Sequence, residues 1–497
     1  MNTTTLQSKA TKGIAHLGIG GAIGKIISLG TTLILARLLS PADYGIMALA
    51  MIVIGFVGFF NEIGIGSAIV QKVELTVSEV NGCFVVAILL GLVLCVATVL
   101  ASYLAAIFFK TPQLQGMIAT LSVTFIFGSL NTVPLAFLRR EFQFKGIAAL
   151  NIIEVVTVTI VSLPLAIAGF GAWSMVWGFI ASSAARTIGA YFLSSWRFNK
   201  NFNIHEAMTL ISYGLNITLS RIFWYVYINA DKVIIGKILS VRAVGVYDMA
   251  MSLAALPNSQ ITSIVTNVAS PLFSKLQNDL PQISLTILKL TRGIAYITYP
   301  ILIGMLVCSR EFILVVLGEK WLDILIPFGA LCLVGLLRSV DPLLSQLLIS
   351  TGHVAKLTAY TAMCSVAMAV AVFIGGTWDG LRGVSLVWVA VYPLLTLKLL
   401  HDVSKVTGLS MRIYYRNLGP VLIATLVMSA VVAGVREVAL LFTSFAPLLL
   451  SVEVLSGMLA YVGWMIFMNP QSLVEIRQVL LDVGVPQRRL DFWPFVR

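Results

Sequence analysis

Apolar stretches long enough to cross a lipid bilayer follow one another along almost the whole chain, and this repetition limits the fold more than any other feature. A helix rises 1.5 Å per residue, so about 20 apolar residues traverse a hydrocarbon core of about 30 Å. Within that core the backbone must satisfy its own hydrogen bonds, which an uninterrupted apolar segment does as a helix. Apolar windows between charged or Pro/Gly-marked breaks predict fourteen spans. They lie near residues 13–38, 43–70, 80–108, 114–138, 146–168, 172–195, 208–238, 243–273, 290–316, 325–350, 356–375, 382–404, 417–438 and 444–468. Charged residues make up only 11% of the chain and hydrophobic ones 59%, whereas an average soluble domain carries about 25% charge. A water-soluble fold is excluded, and the expected class is an all-α, polytopic membrane protein.

The formal charge of +12 does not point to nucleic acid, whose binders gather Lys and Arg on one soluble face. Here the basic residues sit in short loops. Sorted into alternate loops, twenty of the 33 Lys and Arg fall on the side of the N-terminus, eight on the opposite side and five within spans. Basic loops mark the cytoplasmic side, so both termini are expected in the cytoplasm. Lys9 and Lys12 ahead of a Gly-rich apolar run imitate a signal peptide. The run continues to Leu39, which favours an uncleaved first span.

The chain also repeats itself. ARLLSPADYGIMALAM at 36–51 aligns without gaps to GKILSVRAVGVYDMAM at 236–251, keeping Leu39/Leu239, Ser40/Ser240, Gly45/Gly245, Ala50/Ala250 and Met51/Met251. Further on, Gly169 and Ser174-Met175-Val176-Trp177 match Gly380 and Ser385-Leu386-Val387-Trp388. Six spans, an even number, separate equivalent points, so the halves have the same orientation and are related by an axis along the membrane normal. The expectation is an N-terminal six-helix lobe over 1–200, a second over 201–410, a helix pair over 411–470 and a cytoplasmic tail over 471–497. Parallel repeats of this kind occur in transporters that bind cargo between lobes, though a channel or membrane enzyme can be duplicated too. The loops leave no room for a soluble catalytic domain, and the chain is not expected to be an enzyme.

Few residues carry obvious chemistry. GIGGAIGK at 18–25 fails the phosphate-loop pattern, because residue 19 is Ile and Ile26 follows the Lys; Gly20 and Gly24 instead make a helix-packing GxxxG. His16, His205, His353 and His401 lack metal-site spacing, and Cys83, Cys95, Cys308, Cys332 and Cys364 lack any CxxC pairing. Charges inside spans say more. A central Arg or Lys costs at least about 2.5 kcal/mol to insert, so it usually faces a wet cavity or a paired interior. Lys25, Arg186, Arg221 and Arg338 all fall near mid-membrane and come from both halves, which suggests a basic cavity that binds substrate; snorkelling or private ion pairs, such as Arg338 with Asp341, are the alternative. Glu62, Glu154, Asp231, Asp248 and Asp341 are the candidates for ion coupling. Of these, Asp231 beside Lys232 and Asp248 near the outer mouth also suit structural roles. Glu453 is a further intramembrane acid.

A mid-depth cationic lining suits an anionic, phosphate-linked cargo, and Phe223-Trp224-Tyr225 with Tyr227 near Arg221 could stack on sugar rings. LARLLSPADYGIMALAM, GIGSAIVQK, FLRREFQFK, GFGAWSMVWG and ADKVIIGKILSVRAVGVYDMA resemble segments of the Wzx-type polysaccharide flippases. These belong to the superfamily that also holds the MATE drug/cation antiporters and the lipid II flippases, and within it the chain looks closest to exopolysaccharide exporters of the colanic or teichuronic acid types. The resemblance implies movement of an undecaprenyl-pyrophosphate-linked oligosaccharide repeat unit between leaflets, by alternating access, for exopolysaccharide or lipopolysaccharide synthesis. It implies membrane lipids and a lipid-linked anionic oligosaccharide as partners, contact with polymerase machinery as a further possibility, no cofactor, and H+ or Na+ coupling as in other superfamily members. A multidrug/cation antiporter of the same superfamily is the alternative. A membrane-embedded glycosyltransferase or polymerase would need a large external loop that is absent here.

Overall fold

The computed structural model describes residues 3–61, 64–72, 74–204, 208 and 215–468, with the side chains of 3–20, 215–224 and 267 outside that description. The described residues form helices joined by short turns, with no strand among them. In chain order the helices are α1 (Thr3–Leu38), α2 (Pro41–Asn61), α3 (Ile65–Gln71), α4 (Val77–Phe108), α5 (Gln113–Leu121), α6 (Thr124–Arg140), α7 (Phe144–Ile167) and α8 (Trp173–Leu193). There follow α9 (Leu215–Ile238), α10 (Val241–Leu276), α11 (Leu280–Val307), α12 (Ser309–Val316), a 3-10 turn (Glu319–Ile324), α13 (Leu325–Ser350), α14 (Val354–Thr407), α15 (Met411–Leu440) and α16 (Ala446–Met468). Ten of the helical segments among the described residues are long and apolar enough to cross a membrane, and the described residues of the predicted spans are mostly helical. Contacts divide the chain into two compact units, Met1–Gly245 and Val246–Arg497.

Local chemistry sets the helix ends. Thr76 accepts from the Glu79 N–H while the Glu79 carboxylate accepts from the Thr76 N–H, a reciprocal cap on α4. Asp279 caps α11 through the Gln282 N–H at 3.1 Å, with a proline in the first turn, where a missing N–H costs nothing. Gly408 closes α14 at a φ of 75°, a conformation that suits glycine. Gly24 of the predicted packing motif is buried against Val155 of α7.

α14 covers two predicted spans because the chain reverses within it, at Asp379 and Gly380, whose φ/ψ are −143/34° and 57/−136°. Just beyond that turn Gly375 and Gly383 face each other so closely that a Cβ on either would overlap the other's carbonyl. A positive φ with strongly negative ψ is open to glycine but strained for other residues, at about 1–3 kcal/mol. Gly380→Ala should therefore lower the thermal midpoint of the purified protein, whereas Gly419→Ala, which meets open space, should not.

Within the first unit the turns gather at two ends in alternation. At one end Arg140 donates to the Ile69 and Lys72 carbonyls at 2.6 and 2.5 Å, Ser195 donates to Glu141, and Asn81 donates to the Asn201 carbonyl at 2.9 Å. At the other, Asp43 accepts from the Ala172 N–H at 3.0 Å, and Lys237 donates to the Phe108 carbonyl at 2.8 Å. Each set joins turns that lie an even number of spans apart, as alternation of sides requires.

The internal repeat has a physical basis. Ser40 and Ser240 both cap a helix start, accepting from the N–H three residues on, at 3.2 and 3.1 Å. Gly45 and Gly245, one turn further along, make a reciprocal contact: a Cβ at Gly45 would run into the Val241 carbonyl, and one at Gly245 into the Pro41 carbonyl. Pro41 and Val241 are themselves equivalent positions of the repeat. When residue i of one copy meets residue j of the other and j meets i, the copies are related locally by a twofold axis. The first turns of α2 and α10 cross in this way, and only glycine permits the approach.

Candidate functional site

The second unit assembles a polar chain across three helices. α13 presents Arg338 and, three residues on, Asp341; the second arm of α14 supplies Trp388, Tyr392 and Thr396; α10 supplies Met251 and Asn258. Pro342 lacks the N–H that would bond the Arg338 carbonyl, and neighbouring carbonyls of this part of α13 take side-chain donors. Asn258 donates to the Gly335 carbonyl at 3.0 Å, and Thr262 to the Ser339 carbonyl at 2.9 Å. These bonds fix α10 to α13 beside Arg338.

Arg338 is half-buried. Its guanidinium carbon lies 5.5 Å from the centre of the Trp388 ring and its Nη1 lies 3.2 Å from the Met251 sulfur. It makes no ion pair among the described residues. Asp341, the neighbour from which a private pair was an alternative, is engaged elsewhere: its Oδ2 accepts from the Tyr392 hydroxyl at 2.8 Å and the Thr396 hydroxyl at 2.9 Å, and its Oδ1 has no hydrogen-bond partner. An indole face attracts a cation without occupying the N–H groups in the guanidinium plane, and a thioether is a weak acceptor. Arg338 is thus a charged group on an apolar helix, oriented by soft contacts, with donors available to an anion.

The first unit treats its cations differently. Arg186 of α8 pairs with Glu154 of α7 and lies 3.4 Å from the Asn151 Oδ1. One substrate-binding candidate and one ion-coupling candidate therefore neutralise each other. Glu154 also borders a cavity of about 300 Å³ lined by Ser28, Thr31, Thr32, Ser162 and Ser182. Most of these hydroxyls donate to carbonyls of their own helices, Thr31 to Ile27 at 2.9 Å and Ser182 to Phe179 at 2.8 Å. Lys25 is exposed on α1. Asp231 is buried and accepts from the Lys232 N–H at 2.8 Å, and Asp248 is half-buried near the start of α10. Glu62 and the Arg221, Phe223 and Trp224 side chains lie outside the described residues. The five cysteines are free thiols, and no group of three metal-binding side chains occurs among the described residues.

Sequence reasoning named Arg338 and Asp341 but missed Trp388 and Tyr392 as what holds them. The signal was present in the repeated Ser-x-Val-Trp motif, which marks Trp388 as a shared position without saying what it faces.

Residues 34–326 match the family model described as "Polysaccharide biosynthesis protein". The chain is 28% identical over 425 residues to the lipopolysaccharide biosynthesis protein WzxC of Escherichia coli, covering 83% of this chain and 85% of that one. It is 23% identical over 417 residues to the teichuronic acid biosynthesis protein TuaB of Bacillus subtilis, covering 83% and 86%. Among solved structures it resembles the lipid II flippase MurJ in an inward closed conformation, with a TM-score of 0.73 at 16% identity over 93% of this chain and 99% of that one. At that identity the match concerns the fold.

Proposed function

Because the chain belongs to the polysaccharide biosynthesis protein family, we propose that it is a Wzx-type flippase carrying a lipid-linked, anionic oligosaccharide repeat unit across the bacterial inner membrane. The cargo in this reading is undecaprenyl-pyrophosphate-linked and serves exopolysaccharide or lipopolysaccharide synthesis. The observation that carries it is Arg338. A guanidinium on an apolar helix, with no carboxylate in ion-pair distance among the described residues, suits a phosphate or an acidic sugar, which accepts charge-assisted and often bidentate hydrogen bonds. A binder of organic cations would offer carboxylates in its place.

The glycan passes by alternating access through a cationic path to which Lys25, Arg186, Arg221 and Arg338 contribute, while the lipid tail stays in the bilayer. Arg186 takes part by exchanging Glu154 for the cargo, which frees that carboxylate for a coupling H+ or Na+. In this reading both termini lie in the cytoplasm, the side that the bias of basic loops favours, and polymerase machinery is met on the outer side, after the flip. The relatives' names, in lipopolysaccharide and teichuronic acid biosynthesis, support the class of cargo.

The experiment is complementation. Expressed in a set of bacterial strains each lacking its own flippase, the chain should restore surface polysaccharide in at least one and accumulate no lipid-linked precursor there. A chain that restores none, but confers resistance to cationic dyes, is an antiporter of the alternative kind.

A further inference from the structure

Two acids and one base meet inside the second unit, away from Arg338. Glu311 is on α12, Arg436 near the end of α15 and Glu453 on α16. The Glu311 Oε1 accepts from the Arg436 Nη2 at 2.9 Å, and the Glu453 Oε1 stands 3.6 Å from the Arg436 Nε, too far for a hydrogen bond. Glu311 is 4% exposed and Glu453 0%. Neither Glu453 oxygen has a hydrogen-bond partner, nor does the Glu311 Oε2. The Cys308 thiol, at the joint between α11 and α12, faces the same group. The other charged residues of these helices, Arg310, Arg412, Arg416 and Glu437, are exposed; of the 3-10 turn that follows α12, Glu319 and Asp323 are exposed and Lys320 is half-buried.

Counting charge decides what this cluster holds. Two carboxylates facing one guanidinium leave one surplus negative charge, and a buried uncompensated charge is strongly unfavourable even after relaxation. When two acids share a site, one of them takes up a proton instead. Glu311 is the acid bonded to Arg436, and Glu453 is the one that is sealed, with only the weak Cys308 thiol donor beside it. We propose that Glu311, Arg436 and Glu453 form a proton-binding site in which Glu453 carries the proton and Glu311 stays ionised against Arg436. The proton comes from water, converts the Glu453 carboxylate to a carboxylic acid, and returns to water when the site opens. Its loss leaves a bare negative charge where α16 packs on α12 and α15, so occupancy sets how firmly the terminal helix pair is fastened to the rest of the unit. The basic-loop bias assigns this end of α15 to the external side, so the site equilibrates with the outer pH. The inference does not depend on the identity of the cargo.

The test uses the full-length protein in nanodiscs of uncharged lipid. Infrared spectra of wild type minus Glu453→Gln at neutral pH should show one protonated-carboxyl band that shifts in D2O. The melting temperature of wild type should fall as pH is raised, while that of Glu453→Gln, an isostere of the neutral acid, should hold constant and match wild type at its most stable. Glu311→Gln should melt below wild type at low pH, where Glu453 is protonated and Arg436 is left without an anion. Absence of the band overturns the proposal. So does a Glu453→Gln protein that fails to assemble, because an amide should replace a neutral acid without loss. A sodium-dependent gain in wild-type melting temperature over choline, absent from Glu453→Gln, would mean that a metal cation neutralises the charge, and would overturn it too.

Discussion

Arg338→Gln should reach the membrane at normal level and yet lower polysaccharide export by roughly 10- to 100-fold. A hydrogen bond to a charged group is worth about 1.5–3 kcal/mol, and each 1.4 kcal/mol is tenfold in an equilibrium. Folding should survive, because the guanidinium contributes a ring contact to Trp388 and a sulfur contact to Met251, with no ion pair among the described residues to orphan. Arg338→Glu should be worse than Gln, since a carboxylate in that place repels the phosphate. Arg338→Lys should keep the charge but lose the fork geometry, and so fall between wild type and Gln. The measurement is surface polysaccharide per unit of flippase in a complemented strain, alongside the lipid-linked precursor that accumulates when flipping fails.

Gly45→Ala and Gly245→Ala should each damage the protein by driving apart the first turns of α2 and α10. The new methyl group would overlap a backbone carbonyl, Val241 in one case and Pro41 in the other, and a carbonyl cannot swing aside as a side chain can. Overpacking of this sort costs about 1–3 kcal/mol or more. The two substitutions strain one contact, so the double variant should lose less than the sum of the singles. Gly21→Ala and Gly463→Ala meet nothing within 4 Å, and there alanine should be neutral or stabilising by up to about 1 kcal/mol through its better helix propensity. Melting temperatures of the five variants against wild type check both the sign and the non-additivity. Two damaged variants and two neutral ones would separate close approach from a general intolerance of alanine.

Much of the fold was legible because membrane helices announce themselves by length and hydropathy, and the hydrocarbon core leaves the backbone little choice. Interruptions were harder to read. The span predicted at 114–138 is α5 and α6, divided at Ser122 and Val123 with no proline or glycine to announce the break. There the Ser122 and Thr124 hydroxyls turn back on the Ala119 and Leu121 carbonyls at 2.7 and 2.6 Å, a local competition with the helix ladder that composition does not reveal. The turn inside α14 was visible at Gly380, since the chain needs a positive φ there.

Partnerships between charges were the least legible. Arg186 and Glu154 stand 32 residues apart, and nothing in an almost uniformly apolar helix says which face turns to which neighbour. Arg338 and Asp341 are three apart, the spacing at which helical side chains meet, yet Tyr392 and Thr396 claim the carboxylate. Glu311 and Arg436 carry no signal in the sequence, and it is the fold that brings them to Glu453. Sequence shows which charges enter the membrane, and the tertiary arrangement decides which of them are spent on one another.

The central claim is that the chain flips an anionic lipid-linked oligosaccharide with Arg338 engaging its charge, and flipping in proteoliposomes tests it most directly. Purified protein would be reconstituted with a fluorescent undecaprenyl-pyrophosphate-linked oligosaccharide, and its arrival in the outer leaflet read with a membrane-impermeant quencher. Wild type should move the label well above the rate in protein-free vesicles, and Arg338→Gln should move it at least tenfold more slowly. Equal rates for the two proteins, or no movement of the anionic lipid together with uptake of a cationic dye, would contradict the account.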